Sequence, residues 1–303
     1  MLDVSLLGTG GMMPMPKRFL SSMIMRLNGR LIVVDCGEGT QVSLKNLGWG
    51  FKAIDAIMFT HFHADHISGL PGMLLAIGNA GRIEPLKLVG PKGLAYVVDG
   101  LRRIAQDIPF EIEYIEVDEK NQQEIEINGF TASTLFVEHS VKCIAYKFEV
   151  RRKGRFDVKK AQEFGLPKKE WSALQKGIPV EFGGNTYTAN MVLGEYRPGI
   201  TLCFCTDSRP VEELVDFIKG SDLFICEGMY GENEKLNKAI ENKHMLFSEA
   251  ARLAKGGNVK KMWLTHYSPA LSEPEEFLDN AKSIFENTVL GFDGITETIM
   301  FEN

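Results

Sequence analysis

The chain has 303 residues, of which 44% are hydrophobic and 24% are charged, and its formal net charge at neutral pH is −6. This length and composition predict one or two folded domains with a sizeable core, and they exclude a disordered chain and a uniformly basic nucleic-acid-binding protein. No apolar run is long enough to cross a bilayer, so we expect no association with a membrane.

The amino terminus and the cysteines indicate in which cellular compartment the protein works. Residues 1–8 contain only a short apolar run with no basic residue before it, so no signal peptide is expected. The five cysteines are odd in number and widely spaced, which is typical of a reducing compartment and predicts a cytoplasmic protein. Cys203 and Cys205 would share one face of a strand, and core packing explains them better than a second metal site does.

The first half of the chain is predicted to consist mainly of strands. Alternating apolar residues surround Asn28-Gly29 and Asn128-Gly129, and Asn-Gly is the dipeptide that most strongly predicts a β-hairpin. Apolar residues at helical spacing predict two helices in the same half. The predicted strands are 2–7, 23–27, 30–35, 53–60, 123–127 and 130–137, and the predicted helices are 68–80 and 94–107.

In the second half, residues 151–196 are rich in charges, Gly and Pro, and we expect little regular structure there. Strands then return at 200–206, 223–227 and 260–265, with helices at 210–218, 248–254 and 273–286. These elements predict an α/β protein built as a layered sandwich. Because candidate functional residues come from both halves, we predict a single domain over 1–303 with an inserted arm at about 151–196.

The beginning of this arm carries the strongest local charge. Between Arg151 and Lys176, nine basic residues stand against three acidic ones, so the segment is +6 in a chain of net charge −6. Concentrated positive charge is typical of an element that binds phosphate groups, although a solvated lysine-rich arm explains the charge equally well. The candidate RNA-binding residues are Arg151, Arg152, Lys153, Arg155, Lys159, Lys160, Lys168 and Lys169.

The clearest functional motif is His-Phe-His-Ala-Asp-His at residues 61–66, directly after the predicted strand 53–60. Three of the six histidines and one carboxylate lie in this short turn. Imidazole nitrogens and carboxylate oxygens suit zinc, manganese and iron, whereas magnesium and calcium prefer oxygen ligands. The motif therefore predicts a metal site formed by His61, His63, Asp65 and His66.

Three more ligand-type residues follow other predicted strands: His139 after 130–137, Asp207 after 200–206 and His266 after 260–265. Taken alone, His139 or His266 is better explained as an ordinary core or surface histidine. Loops at strand ends, however, are where a rigid scaffold positions chemistry. Together with the motif they make too many ligands for one tetrahedral zinc, which takes about four, and they suit two metals that share a carboxylate.

Several stretches around this motif resemble the ribonuclease Z family, the transfer-RNA 3′-processing endonucleases of the metallo-β-lactamase superfamily. The His-x-His-x-Asp-His pattern indicates the superfamily alone. Residues 35–41 (Asp-Cys-Gly-Glu-Gly-Thr-Gln) and 90–94 (Gly-Pro-Lys-Gly-Leu) are similar to this family in particular, and the resemblance extends over residues 6–294. It implies an α/β fold of the metallo-β-lactamase type, an αββα four-layer sandwich.

The resemblance also implies a role for each ligand-type residue. Two zinc ions are expected, and manganese or iron would fit the same ligands. Asp35 would support the metal histidines through hydrogen bonds, although a turn-capping aspartate is an alternative. The resemblance assigns the first zinc to His61, His63 and His139, the second zinc to Asp65, His66 and His266, and the bridge between them to Asp207.

The chemistry implied by the resemblance is cleavage of the 3′ trailer from precursor transfer RNA by a metal-activated water, leaving a 3′-hydroxyl. Asp65 would orient the water and accept its proton, and His244, held by Glu227, would protonate the departing oxygen. Without the resemblance, His244 would be read as a surface histidine at a helix start. The family's basic arm grips the body of the RNA, and its members form homodimers, so precursor transfer RNA and a second copy of the chain are the implied partners.

Some positions depart from the family pattern. They are Thr206, Cys226, Met245-Leu246 and Pro269-Ala270-Leu271, and none of them is a predicted metal ligand. These departures leave two alternatives open. One is a diverged phosphodiesterase of the same fold that acts on small phosphodiesters, and the other is a non-catalytic RNA-binding member of the fold.

Overall fold

Two sheets contain most of the strands in this computed structural model, which describes residues 1–119, 124–195 and 197–302. The first sheet contains β1 Leu2–Gly8, β2 Ser22–Leu27, β3 Arg30–Val34, β4 Ile54–Met58, β5 Leu86–Pro91, β6 Ile112–Val117 and β16 Thr296–Ile299. The second contains β7 Ile125–Ile127, β8 Phe130–Val137, β9 Cys143–Arg152, β12 Arg197–Cys205, β13 Leu223–Glu227, β14 Met262–Thr265 and β15 Thr288–Leu290.

The strand order places several parallel strands side by side. The first sheet runs β16-β1-β2-β3-β4-β5-β6, and β3 to β6 are parallel. The second runs β15-β14-β13-β12-β9-β8-β7, and β12 to β15 are parallel. Carboxyl ends of neighbouring parallel strands meet at one edge of a sheet, which is where open α/β sheets place their ligands.

Helices cover one face of each sheet. Beside the first sheet, Leu44, Leu70 and Leu94 belong to the same apolar cluster as the strand residues Leu31 and Val33. Their helices are α1 Thr40–Leu47, α3 Leu70–Asn79 and α4 Leu94–Arg102, and the short helix α2 Ala64–Ile67 lies just before α3. The second sheet is covered in the same way by α7 Glu212–Phe217, α9 Phe247–Gly256 and α10 Leu278–Lys282.

The other faces of the two sheets pack against each other. Ile32 and Val34 alternate with Leu31 and Val33 along β3 and are equally buried, so this strand is apolar on both faces. Tyr146 of the second sheet donates its hydroxyl hydrogen to the Phe59 carbonyl oxygen at the end of β4, at 2.7 Å. The layers are therefore helix, sheet, sheet and helix, which is the predicted αββα sandwich.

Both predicted hairpins are confirmed. Leu27 pairs with Arg30 and Ile127 with Phe130, and the Asn and Gly of each turn have positive φ, as a two-residue turn of this type requires. Only Ile125–Ile127 of the predicted strand 123–127 is observed, and Gln123 lies outside the described residues.

Other predicted elements have different lengths in the structure. The helix predicted at 94–107 ends at Arg102, and the one predicted at 273–286 is a 3₁₀ turn, Pro274–Phe277, followed by α10. Five strands of the two sheets were not predicted: β5, β6, β9, β15 and β16. Charged residues interrupt the alternation in β6 and β9, whose pairing with neighbouring strands is a tertiary property.

The chain divides into two compact units, Met1–Glu149 with Ile200–Met300, and Val150–Gly199 with Phe301–Asn303. The second unit contains helices α5 Val158–Glu163 and α6 Lys168–Lys176 and the hairpin of β10 Val180–Phe182 and β11 Asn185–Tyr187. Six buried residues form its core: Ala161, Leu166, Leu174, Val180, Tyr187 and Val192. The expectation of little regular structure at 151–196 was therefore wrong, and Tyr196 lies outside the described residues.

The remaining helical segments are short. Helix α8 spans Leu236–Asn242, and 3₁₀ turns occur at Ala189–Met191 and Asn233–Lys235. Within the described ranges, no helix combines the length and the apolar character that crossing a membrane requires.

Candidate metal centre

Loops at strand ends of both sheets supply the predicted ligands. In the first sheet, Asp35 follows β3, and the 61–66 motif begins three residues after β4. In the second sheet, His139 follows β8, Asp207 follows β12 and His266 follows β14. The sandwich brings these loops together although the predicted ligands His61 and His266 are 205 residues apart in the chain.

The ligand atoms form two groups that share Asp207. Within each group every ligand atom lies within 4.8 Å of the others. Oδ2 of Asp207 faces the first group and lies 3.7 Å from Nε2 of both His61 and His139. Oδ1 faces the second group, 3.2 Å from Nε2 of His66 and 3.1 Å from Nε2 of His266. The groups are His61, His63, His139 and Asp207, and Asp65, His66, Asp207 and His266.

Buried polar atoms without partners are a sign of a metal site at these groups. Oδ1 of Asp207 and Nε2 of His66 and of His266 are buried and form no hydrogen bond with any described part of the chain. A buried polar atom without a partner costs about 1–3 kcal/mol, and three that face one another need a common ligand. A divalent metal that accepts nitrogen and oxygen ligands fits all three.

The separations between ligand atoms agree with metal coordination. Nδ1 of His63 lies 3.0 Å from Nε2 of His61 and 3.2 Å from Nε2 of His139. Nitrogen atoms bound tetrahedrally at zinc distances lie about 3.3 Å apart. The residues present therefore fit a metal of this size, and the structure supports the prediction of a metal site.

Four of the five clustered histidines are oriented by a second contact to the other ring nitrogen. Each of these contacts offers an oxygen to Nδ1, which leaves Nε2 without its hydrogen and free to bind a metal. The Nδ1 contacts are His61 to Thr60 Oγ1 at 3.0 Å, His66 to Asp35 Oδ2 at 2.7 Å, His139 to the Lys243 carbonyl at 3.3 Å, and His266 to Ser21 Oγ at 2.6 Å.

Asp35 is completely buried and makes three of the hydrogen-bond contacts that orient this part of the centre. Its Oδ1 accepts the Thr60 amide hydrogen at 2.8 Å, and its Oδ2 contacts both Thr60 Oγ1 and His66 Nδ1. The structure thus places Asp35 against His66, one of the predicted ligands, and its role in supporting a bound metal stays a prediction. The loop after Asp35 packs closely against the loop after the 61–66 motif, since a Cβ at Gly69 would lie 2.1 Å from the Gly37 carbonyl oxygen.

Replacing Asp35 by asparagine should weaken metal binding by about 10- to 100-fold, the usual effect of losing such a supporting contact. The amide retains the size of the carboxylate but cannot accept hydrogens from both Thr60 and His66, so the His66 ring loses its orientation. Competition with a fluorescent zinc chelator measures the affinity. Asp216→Asn, on the exposed surface of α7, is the matched control, and equal affinities for the two variants would contradict the prediction.

Thr206, one of the departures from the family pattern, joins the same network. It is buried, and its hydroxyl donates to Thr60 Oγ1 at 3.3 Å. Thr60 in turn donates to Asp35, so Thr206 extends the hydrogen-bonded chain behind the metal histidines. This departure from the family is therefore accommodated without the loss of any ligand.

The backbone is strained at three residues of the centre. Asp35, Asp207 and His266 have φ of 58°, 39° and 59°, a left-handed conformation that is uncommon for residues other than glycine. Such conformations cost of order 1–3 kcal/mol each and persist where the surrounding structure imposes them, commonly at functional sites. Here they turn the side chains of strand-end residues towards the two ligand groups.

Asp207 carries a negative charge in spite of its burial. Burial alone would raise its pKa, but the imidazoles of His266, His66 and His61 hold the pKa of this carboxyl well below its usual range. A permanently ionised carboxylate between two groups of nitrogen ligands attracts cations. This charge supports the bridging role that the resemblance assigns to Asp207.

Glu227 and His244 form a second buried pair beside the ligands. Nδ1 of His244 lies 3.2 Å from Oε2 of Glu227, which also accepts the Met245 amide hydrogen at 3.1 Å. Burial opposes protonation of His244, but the Glu227 carboxylate raises the pKa of His244 to about 9. His244 therefore carries a proton at neutral pH.

A cavity of about 390 Å³ opens onto this centre. His63 and Asp65 are partly exposed in it, whereas His61 and His66 are buried beneath them. Met12, Tyr230 and His244 also line the cavity, and Nδ1 of His244 is held by Glu227. The cavity gives a substrate access to both ligand groups and to His244.

The basic residues predicted to bind RNA belong to the second compact unit. Seven of the eight are exposed, and Arg152 is partly buried, with its guanidinium over the Phe301 ring at 4.6 Å. Lys159 and Lys160 lie in α5, and Lys168 and Lys169 begin α6. Their role in RNA binding stays a prediction.

The chain is similar in sequence to known proteins over its whole length. Residues 2–149 match a family model described as "Anti-Pycsar protein Apyc1". The chain is 52% identical over 308 residues to a ribonuclease Z of Clostridium acetobutylicum, covering 100% of both chains. It belongs to the ribonuclease Z family. A second ribonuclease Z, from Agathobacter rectalis, is 52% identical over 302 residues. The match covers 100% of this chain and 99% of that protein.

Solved structures agree on the fold. Human tRNase Z, short form, superposes with a TM-score of 0.71 at 22% identity, covering 99% of this chain and 100% of the human one. The metallo-β-lactamase fold protein YhfI of Bacillus subtilis superposes with a TM-score of 0.69 at 19% identity and 98% coverage of both chains. The predicted family, fold class and enzyme class, a metal-dependent endoribonuclease, are confirmed.

Proposed function

We propose that this chain removes the 3′ trailer from precursor transfer RNA, leaving a transfer RNA that ends in a 3′-hydroxyl and a trailer with a 5′-phosphate. One observation carries the proposal: a chain 52% identical throughout to ribonuclease Z gathers both predicted ligand groups around Asp207. The structural neighbour named tRNase Z supports the RNA substrate.

Two zinc ions are the proposed cofactors, with manganese or iron as chemically acceptable substitutes. The first would be held by His61, His63 and His139, the second by Asp65, His66 and His266, and Asp207 would contact both. Each group has four ligand atoms, the number that zinc usually takes. When bound, such ions lower the pKa of a water molecule and neutralise charge on the phosphate oxygens.

Asp65 is the proposed base. Its Oδ2 accepts the Met12 amide hydrogen at 2.7 Å and lies 3.6 Å from Nε2 of His66, so the carboxylate is fixed at the cavity edge. Burial would raise its pKa, but His66 and His266 lower the pKa of Asp65, which keeps it ionised and able to accept a proton. From this position Asp65 would orient the attacking water and take up its proton.

His244 is the proposed acid. The pKa of His244 is raised by Glu227, so the imidazole holds a proton at neutral pH that it can give to the departing 3′ oxygen. Its ring centroid lies 5.3 Å from that of His139 and 5.6 Å from that of His266, so the imidazole stands beside predicted ligands of both groups. Nδ1 is engaged by Glu227, so Nε2 would deliver the proton.

The second compact unit is the proposed arm that grips the body of the RNA. Its exposed lysines and arginines offer positive charge to the phosphates of an RNA substrate. Following the family resemblance, we propose a homodimer in the cytoplasm, in which the arm of one subunit serves the site of the other. The five free cysteines are consistent with a reducing compartment, and sedimentation at several concentrations tests the dimer.

Replacing Lys159, Lys160, Lys168 and Lys169 together by alanine should raise KM for precursor transfer RNA while leaving hydrolysis of bis(p-nitrophenyl) phosphate unchanged. The slope of log KM against log salt should fall by about one for each phosphate contact that is lost. Steady-state kinetics at several salt concentrations measures both. The control replaces four exposed lysines of the first unit, Lys45, Lys92, Lys219 and Lys255, and the same rise in KM there would refute a specific role for the arm.

Cleavage of a 3′-extended precursor transfer RNA by the purified protein, with zinc or manganese and then with a chelator, tests the function. A metal-dependent cut next to the discriminator nucleotide supports it. If the precursor is untouched and bis(p-nitrophenyl) phosphate is hydrolysed, the chain is instead a diverged small-phosphodiester hydrolase. If the protein binds RNA but retains no metal and cleaves neither substrate, the non-catalytic alternative is correct.

A further inference from the structure

Arg209 lies two residues after Asp207 and connects the loops of the centre, although nothing in its sequence context indicated a role. We propose that Arg209, held by Glu249, is a positioning residue that fixes the main chain at His244 and so aims the His244 imidazole at the leaving group. The inference rests on the proposed role of His244 as the acid, and it adds the residues that hold this acid in place.

The side chain of Arg209 binds the His244 loop directly. Its Nη1 donates to the His244 carbonyl oxygen and, at 2.9 Å, to Oε2 of Glu249. Its Nη2 donates to Oε1 of Glu249, so the carboxylate is bound by both arms of the guanidinium. The Arg209 side chain is 14% exposed and that of Glu249 8%, which limits the competition from water.

Glu249 is itself fixed to the same loop. Its Oε2 accepts the Leu246 amide hydrogen at 3.0 Å, at the beginning of α9. Such a contact from the first turn of a helix back to the residue before it stabilises the helix start. Arg209 and Glu249 therefore hold the main chain at His244 and at Leu246, on both sides of Met245.

The main chain around Arg209 reaches two further parts of the centre. The Arg209 amide donates to the Glu138 carbonyl at 2.9 Å, next to the ligand His139. The preceding Ser208 amide donates to Oε1 of Glu227, the partner of the His244 ring. Arg209 thus secures the His244 carbonyl while Glu227 secures its imidazole, so that neither end of the residue can turn freely.

Only arginine has the geometry for this task. Its planar fork can bind a carbonyl oxygen and both oxygens of a carboxylate at once, whereas a lysine ammonium offers one point of charge on a flexible stem. Arg209→Lys should therefore keep the charge but lose the alignment. If Arg209 served only to neutralise the charge of Glu249, the Arg209→Lys protein would keep its activity.

The test is a series of aryl phosphodiesters with leaving groups from dinitrophenol to unsubstituted phenol. Dinitrophenolate leaves without a proton, whereas phenolate and a ribose oxygen need an acid. For Arg209→Ala and Arg209→Lys we expect less than about a threefold loss on the dinitrophenyl ester and about a 10- to 100-fold loss on the phenyl ester and on precursor RNA. Glu249→Gln should show the same pattern more weakly.

A double variant separates positioning from stability. If Arg209 acts through His244, then Arg209→Ala should cost no further activity in a His244→Ala background. Metal content and melting temperature are measured for every variant, and Arg252→Ala, exposed on α9 one turn beyond Glu249, is the control. Equal losses across the aryl series, or losses that multiply in the double variant, would overturn the inference.

The test of Arg209 does not depend on whether precursor transfer RNA is the substrate. Cleavage of precursor RNA by the unmodified protein tests the proposed function, whereas the aryl series can be scored for any phosphodiesterase. If His244→Ala itself shows no dependence on the leaving group, the proposed acid is wrong, and the inference fails with it. If His244→Ala shows the dependence and the Arg209 variants do not, only the inference fails.

Discussion

Replacing Asp207 by asparagine should lower kcat/KM for RNA cleavage by about 10⁴-fold or more, which corresponds to a loss of ~5.5 kcal/mol of transition-state stabilisation. Among the residues that the structure describes, Asp207 is the one that belongs to both ligand groups. Asparagine has nearly the same shape, but one of its two oxygens becomes an NH₂ group, which would point hydrogens at imidazole nitrogens or at a cation. Both groups would therefore lose affinity for metal together.

Metal content by atomic absorption and cleavage rates measured side by side check this expectation. A fall in bound metal that parallels the fall in rate supports the bridging role of Asp207. Asp216→Asn, which changes an exposed carboxylate, serves as the control and should retain both. An Asp207→Asn protein that is fully active with its normal metal content would show that the shared carboxylate is not required.

Replacing His244 by alanine should lower kcat for precursor RNA by about 10²- to 10⁴-fold, the range expected for the loss of a general acid. KM and metal content should change little, because His244 belongs to neither ligand group. His244→Ala should therefore lose kcat while keeping its metal, whereas Asp207→Asn should lose both.

Single-turnover kinetics with saturating enzyme measures the chemical step for His244→Ala without the contribution of product release. Glu227→Gln should cause a smaller loss, since the imidazole would remain but would lose the carboxylate that raises its pKa. Tyr230→Phe is a useful control in the same cavity, because it removes only the hydroxyl that accepts from Asn242. A normal kcat for His244→Ala would assign proton donation to another group or to water.

The sequence was most informative where function concentrates many unusual residues in a short stretch. Three histidines and an aspartate within residues 61–66 have few explanations other than a metal, and the two Asn-Gly turns predicted their hairpins for a local reason, the positive φ of both residues. The arm was identified by its charge, which is also a local property. Its two helices and hairpin were missed because each is short and is stabilised by a core that the unit forms as a whole.

Residues that act through distant partners gave no signal in the sequence. Thr60, Ser21 and Arg209 are common residue types in unremarkable contexts, and their partners are Asp35, His266 and Glu249. These contacts exist only because the sandwich brings together loops that are far apart in the chain. No periodicity or spacing encodes such a meeting, since it depends on how two sheets pack.

By itself, the sequence determined the kind of chemistry, because ligand residues must be present in the chain whatever its fold. It could not assign the tautomer of any imidazole or show which ligand group each Asp207 oxygen approaches. It also could not show that Arg209 and Glu249 bind the main chain at His244 and Leu246. Tertiary structure decided these, since each depends on distances of about 3 Å between residues separated by tens to hundreds of positions. At that separation in sequence, only the packing of the sheets and their strand-end loops sets which atoms meet.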